Sequence, residues 1–243
     1  MQIIKLDATD STSSYLKNLI SDNILDDFTV VVSKKQLNGR GQMGTVWDSE
    51  EGKNLTFSIL KKINSLPVVE QFVVNMKVSL AVYEVLHGLK VPDLKVKWPN
   101  DILSGNDKIC GILIENMLSG KNIQSSIVGI GLNVNQIVFH KLPNVSSLKL
   151  ILGQTFNLDE ILTLILKNLK KSFSASEAKS MVQLKSEYEA VLFRKDKPST
   201  FKNQKDELFM GFIRGVSANG KLEVILEDNI LQEFDLKEIK LLY

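Results

Sequence analysis

Residues 97–113 read KWPNDILSGNDKICGIL, and this stretch decides how the rest of the chain is interpreted. Its apolar and polar patterns predict strands over 95–98 and 108–116, separated by a turn-forming segment at 99–107. Strand ends followed by turns are places where proteins display reactive side chains. The stretch therefore predicts either a functional site built on two strand ends or an Asx-type turn around a buried tryptophan.

Working outward, the remaining apolar patterns predict a protein that mixes strands and helices. Asp10 or Ser11 is predicted to cap the first helix, because either side chain can accept from the first free backbone N–H groups. The other predicted elements are strands over 2–6, 28–33, 54–60 and 125–134, helices over 68–88 and in two pieces between 157 and 194, and short strands after Pro198.

The composition excludes several classes of protein. Apolar residues make up 44% and charged residues 24% of 243 residues, which is typical of a folded globular protein. Thirty Lys plus Arg against 28 Asp plus Glu leave a net charge of +2, so any anion site must be a local cluster. One cysteine and two histidines exclude an internal disulfide and disfavour a nitrogen- and sulfur-ligated metal site. We expect a cytoplasmic protein without an export signal or membrane contact.

A glycine-rich loop lies between two predicted strands. Residues 39–44 read GRGQMG and match the G-x-G-x-x-G pattern. A dinucleotide site needs a helix to begin at these glycines, whereas residues 47–53 are turn-forming and lead into a strand. A protein kinase needs H-R-D and D-F-G motifs, and the sequence contains neither. The loop is predicted to be either an anion-binding flap, with Arg40 facing a carboxylate or phosphate, or a flexible surface hairpin.

Several short motifs follow one another in a specific order along the chain. They are Ser11-Thr12-Ser13, Gln36 with residues 39–44 and Trp47, KWPND at 97–101, KICGIL at 108–113 and GIGLN at 129–133. In this order and spacing they resemble the biotin protein ligases, also called biotin-[acetyl-CoA-carboxylase] ligases. The resemblance extends from about residue 7 to the C-terminus.

The resemblance implies an α+β fold in two parts. Residues 1–195 would form a catalytic domain, a mixed β-sheet flanked by helices and related to class II aminoacyl-tRNA synthetases. Residues 196–243 would form a small SH3-like β-barrel. The implied enzyme uses ATP and Mg²⁺ to form biotinyl-5′-AMP, then transfers biotin to a lysine of a biotin carboxyl carrier protein domain. A monomer or a homodimer is expected.

The resemblance also implies roles for individual residues. The implied catalytic residues are Arg40, Lys97, Asp101 and Lys108. The implied biotin-binding residues are Ser11, Thr12, Ser13, Gln36, Gly39, Arg40, Lys108 and Gly111. The implied ATP-binding residues are Arg40, Gln42, Trp47, Lys97, Asn100, Asn133 and Lys237. Gln42, Met43 and Thr45 depart from the more basic loop of many family members, so retention of the adenylate by this loop is expected to differ.

Rival functions stay open beside this interpretation. A lipoate or octanoate ligase or transferase could use the same fold, although Ser11, Thr12 and Gln36 favour a ureido ring over a plain acyl chain. A biotin-sensing protein without turnover is disfavoured by the retained basic residues. Because the catalytic pattern begins almost at Met1, we expect the monofunctional form, without an N-terminal DNA-binding domain and without a nucleic-acid partner.

Overall fold

The computed structural model describes residues 1–140, 143–177 and 179–243. The larger part of the fold is a seven-stranded sheet with the strand order β1-β2-β3-β7-β6-β5-β4. Its strands are β1 (Ile3–Thr9), β2 (Val30–Gln36), β3 (Leu55–Pro67), β4 (Leu94–Lys97), β5 (Asp101–Ser104), β6 (Asp107–Ser119) and β7 (Asn122–Leu132). β1 and β2 are parallel and every other neighbouring pair is antiparallel, so the predicted mixed sheet is confirmed.

Helices cover both faces of this sheet. They are α1 (Thr12–Asp22), α2 (Phe72–Gly88), α3 (Leu148–Leu152), α4 (Leu158–Ser172) and α5 (Met181–Ala190). The central strands alternate between the two faces: Val30 and Ile59 pack in the large core with α2, α4 and α5, whereas Val31 and Leu60 pack against α1. Burial on both faces explains why these strands are continuous apolar runs.

A second, antiparallel sheet of five strands forms the C-terminal part. Its order is β11-β10-β9-β8-β12, from β8 (Pro198–Asn203), β9 (Leu208–Val216), β10 (Leu222–Leu226), β11 (Leu231–Phe234) and β12 (Ile239–Leu242). The Trp98 indole Nε1 donates to the Gly220 carbonyl at 2.8 Å. A Cβ at Gly220 would lie 2.6 Å from Cδ2 of Phe72, so the absence of a side chain there allows close docking of this sheet.

The structure differs from the sequence predictions in several places. Strand β3 continues to Pro67, seven residues beyond its predicted end, and helix α3 was not predicted. The predicted turn segment 99–107 contains strand β5, because residues 101–104 pair with both β4 and β6. The predicted helix over 68–88 begins with a 3₁₀ turn, and α2 starts at Phe72. Strand β7 ends at Leu132, two residues before the predicted end. No helix among the described residues is long and apolar enough to cross a membrane.

Candidate active site

Strand register brings residues from distant parts of the chain into one row. Lys97 pairs with Asp101, Asp101 with Gly111, Gly111 with Gly131, and Gly131 with Thr56. Directly paired residues share one face of a sheet. The two glycines therefore leave an open floor between the charged pair on β4 and β5 and the hydroxyl groups of β3.

A cavity of about 750 Å³ uses this floor, which is a size typical of small-molecule sites. The C-terminal sheet closes one side of it through residues such as Lys237 and Tyr243. The predicted site residues that line it are Ser11, Thr12, Ser13, Gln36, Arg40, Gln42, Trp47, Lys97, Asn100, Asp101, Lys108, Gly111 and Lys237. Gly39 and Asn133 are not among the described residues that line the cavity.

Lys108 reaches the floor because of a β-bulge. In the pairing of β5 with β6, Ile102 opposes Cys110 but Leu103 opposes Lys108, so Ile109 is an extra residue in β6. The extra residue places Lys108 on the same face as Asp101 and lets its Nζ approach Asp101 Oδ1 at 2.6 Å. Bulges beside active sites commonly redirect a side chain in this way.

Asp101 holds two ammonium groups at one end of the cavity. Its Oδ2 lies 3.7 Å from Nζ of Lys97, and its side chain is 15% exposed. Burial lowers the pKa of Lys97, and the charge of Lys108 lowers it further, whereas Asp101 raises it. The Tyr243 ring packs on this group, with Lys97 Nζ 5.2 Å from the ring centroid. The result is a partly desolvated cationic pair around one carboxylate.

The opposite end of the cavity is neutral and rich in hydroxyl groups. The Thr12 backbone N–H donates to Gln36 Oε1 at 2.8 Å, and Thr12 Oγ1 lies 3.1 Å from the same oxygen. Ser58 Oγ lies 2.7 Å from Thr12 Oγ1 and 2.9 Å from Ser13 Oγ. Ser11 begins α1 as its N-cap and fixes the path of this segment. Such a cluster suits a polar, uncharged chemical group.

The Trp47 indole lies directly on the glycine floor. A Cβ at Gly131 would lie 2.6 Å from Cζ2 of Trp47, and a Cβ at Gly111 would lie 3.0 Å from Cζ3. Lys108 Nζ is 5.7 Å from the centroid of the same ring. The glycines at 111 and 131 thus make room for an aromatic wall between the two ends of the cavity.

We expect Gly131→Ala to displace Trp47, because the new methyl group would overlap the indole. Overpacking of this kind costs about 1–3 kcal/mol. The measurement is a thermal melt together with tryptophan emission in a Trp98→Phe background, where Trp47 is the remaining tryptophan. A lowered Tm and a red-shifted emission are expected.

Gly88→Ala is the matched control, because a Cβ at Gly88 meets no atom within 4 Å. It should not lower the Tm, because alanine is the better helix former, and it should leave the emission unchanged. An emission spectrum for Gly131→Ala identical to that of the parent would contradict the placement of Trp47.

Arg40 carries the cationic group of the glycine-rich loop. Its Nη2 forms an ion pair with Glu115 Oε1, and its Nη1 lies 3.3 Å from Ser14 Oγ. The Glu115 side chain is 26% exposed, and its Oε2 is buried without a hydrogen-bond partner among the described residues. The guanidinium therefore bridges the loop, α1 and β6 at the wall of the cavity.

Two predicted asparagines and the single cysteine make contacts inside the protein itself. Asn133 is buried and its Nδ2 donates to the Ser146 carbonyl at 3.0 Å. Asn100 Nδ2 donates to the Ile112 carbonyl at 2.7 Å, although Asn100 also lines the cavity. Cys110 is fully buried, and burial raises the pKa of its thiol, as expected for a core residue.

Sequence reasoning missed Ser58, Glu115 and Tyr243. Ser58 had one local signal, a hydroxyl group in the middle of an apolar strand, at the same alternation as Thr56. Glu115 and Tyr243 had none, because each becomes significant through a partner far away in the sequence.

Charge is concentrated around the cavity. Among the described lining residues the cationic ones are Arg40, Lys97, Lys108, Lys202, Lys237 and Lys240, and the acidic one is Asp101. The whole chain has a net charge of +2, so this is a local cluster of the kind the composition required. Within residues 1–140, 143–177 and 179–243, no group of three or more His, Cys, Asp or Glu side chains could hold a metal ion.

Comparison with known proteins accounts for this arrangement. The family model described as the biotin/lipoate A/B protein ligase family matches residues 6–133, which contain both ends of the cavity floor. The chain belongs to this family. The match covers more than half of the residues and includes every motif from Ser11 to Asn133.

Individual proteins also share sequence identity with this chain. The bifunctional ligase/repressor BirA of Bacillus spizizenii is 34% identical over 134 residues, 55% of this chain and 41% of that protein. A biotin--[acetyl-CoA-carboxylase] ligase of Paracoccus denitrificans is 33% identical over 129 residues, 52% of each chain. The chain thus spans about 41% of the BirA protein's length.

A solved structure extends the similarity to the whole chain. The biotin protein ligase from Aquifex aeolicus, in complex with biotin and ATP, aligns with a TM-score of 0.80 and 26% identity. The alignment covers 99% of this chain and 98% of that one. The C-terminal sheet is therefore part of the shared fold.

Proposed function

We propose that this chain is an ATP-dependent biotin protein ligase. In the first step a carboxylate oxygen of biotin bonds to the α-phosphorus of ATP, pyrophosphate leaves, and biotinyl-5′-AMP forms. In the second step a lysine amine of a biotin carboxyl carrier protein domain bonds to the biotinyl carbonyl. AMP then leaves and the amine loses a proton.

This proposal rests on one observation: in a member of this family, a single cavity has hydroxyl groups at one end and lysine ammonium groups at the other. The hydroxyl and amide groups of Ser13 and Gln36 suit the ureido ring of biotin. The ammonium groups of Lys97 and Lys108 lie at the other end of the same cavity, where a carboxylate and phosphates would meet. The Aquifex aeolicus biotin protein ligase forms a complex with both biotin and ATP, which supports the proposal that this chain takes both substrates.

Charge neutralisation explains how the first step proceeds. Biotin carboxylate and ATP are both anions, and preorganised cations lower the cost of bringing them together. Lys97, Lys108 and Arg40 supply these cations. Mg²⁺ is proposed to arrive with the phosphates of ATP, since Asp101 is the one carboxylate among the described lining residues and already contacts two lysines.

The adenylate is proposed to lie between Trp47 and the C-terminal sheet. Gln42, Asn100 and Lys237 line the cavity and would contact the nucleotide. Asn133, which follows β7 and donates to the Ser146 carbonyl, would support this site from outside the lining. The five-stranded sheet is proposed to be an SH3-like barrel over 196–243. The catalytic domain over 1–195 is proposed to be of the class II aminoacyl-tRNA synthetase type.

Asp101 is proposed to orient the incoming lysine and to receive its proton in the second step, because it is the carboxylate nearest the reacting groups. The carrier is proposed to be the biotin carboxyl carrier protein of a carboxylase, as the name of the Paracoccus denitrificans relative suggests. We propose that the reaction takes place in the cytoplasm.

Incorporation of labelled biotin into a purified carrier domain tests the function. The assay contains ATP, Mg²⁺ and the purified chain, and its control is a carrier whose acceptor lysine is replaced by arginine. Biotin-dependent pyrophosphate release measures the first step separately. Preference for lipoate or octanoate would favour the rival ligase, and biotin binding without pyrophosphate release would favour a sensor.

The pH dependence of the first step should report the charge of Lys97. Burial lowers the pKa of Lys97, so its ammonium group is lost at a lower pH than that of an exposed lysine. Because the charged form is the active one, kcat/KM for ATP should fall as pH rises through this lowered pKa.

Asp101→Asn provides the comparison for this pH profile. Asp101 raises the pKa of Lys97, so its removal should move the alkaline limb to still lower pH. The measurement is pyrophosphate release across an alkaline pH series. An alkaline limb at the same pH in both proteins would contradict the assignment to Lys97.

A further inference from the structure

Donors and acceptors can be assigned along a series of hydrogen bonds at the neutral end of the cavity. The Thr12 backbone N–H can donate but cannot accept, so the Gln36 atom 2.8 Å away must be the oxygen. The amide nitrogen Nε2 of Gln36 is then directed elsewhere. It lies 3.0 Å from the position that a Cβ of Gly39 would take.

The orientation of Gln36 determines which of the neighbouring hydroxyl groups donates and which accepts. Gln36 Oε1 has no hydrogen, so Thr12 Oγ1, at 3.1 Å, donates to it. A hydroxyl group has one hydrogen, and that of Thr12 is now used. We therefore assign Ser58 as the donor and Thr12 as the acceptor in the 2.7 Å contact between their hydroxyl groups. The reverse assignment would leave two oxygens 3.1 Å apart with no hydrogen between them.

Counting hydroxyl hydrogens in the same way assigns the donor between Ser13 and Ser58. The hydrogen of Ser58 is used on Thr12, so in the 2.9 Å contact Ser13 donates to Ser58. The order of donation is Ser13 to Ser58 to Thr12 to Gln36. Gly129 pairs with Ser58 in the sheet, and a Cβ there would lie 2.8 Å from Ser13 Oγ. Because Gly129 has no side chain, there is space for the hydrogen-bonded hydroxyl groups of Ser13 and Ser58.

We propose that Ser58 is a positioning residue that determines which ligand head group the site accepts. Ser58 is fully buried, and it orients Ser13 and Thr12, both of which line the cavity. Because the hydroxyl hydrogen of Ser13 is donated to Ser58, the Ser13 oxygen can accept a hydrogen bond from a ligand but cannot donate one. Gln36 also lines the cavity, and its Nε2 hydrogens, which no hydrogen bond of the described residues uses, are the ones it can offer to a ligand. The complementary head group has an N–H donor for Ser13 and a carbonyl acceptor for Gln36.

A urea satisfies both requirements, whereas an acyl chain or a cyclic disulfide satisfies neither. The inference rests on the proposed function for the identity of the ligand as biotin. It adds that selectivity for the ureido N–H depends on a buried residue that does not itself touch the ligand. Unpaired buried polar groups are costly, so a ligand with an acceptor opposite Ser13 is rejected.

Binding of biotin and of its two cyclic carbamate analogues tests this proposal. Each analogue has an oxygen in place of one ureido N–H, which turns a donor into an acceptor with little change in volume. Isothermal titration gives the ratio of analogue Kd to biotin Kd. For at least one analogue, this ratio should be about tenfold or more in the unmodified protein.

Ser58→Ala should reduce that ratio about tenfold, because Ser13 can then turn its hydrogen toward the ligand. Thr56→Val is the matched control: it removes a buried hydroxyl from the same strand, one that donates to the Ser33 carbonyl at 2.9 Å and not to Ser13. Its ratio should stay that of the unmodified protein. If Ser58→Ala does not fold, Ser58→Cys keeps a side chain of similar size whose sulfur accepts more weakly from Ser13, and it should give an intermediate ratio.

The outcomes separate this inference from the proposed function. Failure of the unmodified protein to bind biotin would overturn the function and this inference with it. Tight binding of biotin and of both analogues alike, or an unchanged ratio in a folded Ser58→Ala protein, would overturn the role of Ser58 and leave the function in place.

Discussion

Lys108→Ala is expected to slow formation of biotinyl-AMP by about 10²-fold or more. The β-bulge at Ile109 places the Lys108 ammonium 2.6 Å from Asp101, at the cationic end of the cavity. There it would neutralise the carboxylate and the α-phosphate as they approach, a contribution that is larger in the transition state than in the bound substrates. The measurement is biotin-dependent pyrophosphate release. Lys97→Ala should cause a loss of the same order, because Lys97 shares the same carboxylate.

Lys185→Ala is the matched control for the lysine variants. The Lys185 side chain is 33% exposed, against 30% for Lys108, and it also lies near carboxylates, at 3.6 Å from Glu189. Its replacement should leave pyrophosphate release within about twofold of the unmodified rate, because Lys185 is not among the described residues that line the cavity. Lys108→Arg should not restore activity, because a planar fork and a compact ammonium differ in reach. A nearly unmodified rate for Lys108→Ala would remove Lys108 from the reacting centre.

The sequence predicted much of the fold because local patterns and global structure agree there. Apolar alternation and β-branched runs identified β2, β3, β6 and β7, although β3 continues seven residues beyond its predicted end, and helical spacing placed most of α2. Strand β5 was missed because four residues between Pro99 and Gly105 look like a turn. Its strand character comes from pairing with β4 and β6, which no local pattern reports.

The site shows the same division between local and long-range information. The motifs identified Lys97, Asp101 and Lys108, and the structure brings all three together. Simple alternation in β6 would nevertheless put Lys108 on the face opposite Gly111, three residues away. The bulge reverses this, and a bulge depends on how two strands pair. Ser58 was missed for the same reason, because its significance comes from Thr12 and Ser13, far away in sequence.

Arg40→Ala is expected to weaken biotin binding about tenfold to a hundredfold and to speed release of biotinyl-AMP. Two physical effects add. The ligand loses a charge-assisted hydrogen bond, which contributes about 1.5–3 kcal/mol. Glu115 also loses its cationic partner, so a carboxylate that is 26% exposed is left uncompensated beside Arg40's position and repels an anionic ligand. Titration with biotin measures the first quantity, and rapid dilution of a labelled adenylate complex measures the second.

A double variant separates the two effects. Arg40→Ala combined with Glu115→Gln removes the guanidinium and the Glu115 carboxylate together, so the repulsion disappears while the lost ligand contact remains. Biotin affinity should therefore recover in part, to a value between those of Arg40→Ala and the unmodified protein. Arg214→Ala is the matched control, since its Nη1 lies 2.6 Å from Asp196 in the C-terminal sheet, and it should bind biotin normally. If biotin affinity and adenylate release were unchanged in folded Arg40→Ala, the guanidinium would have no part in holding the ligand, and the glycine-rich loop would be a surface hairpin.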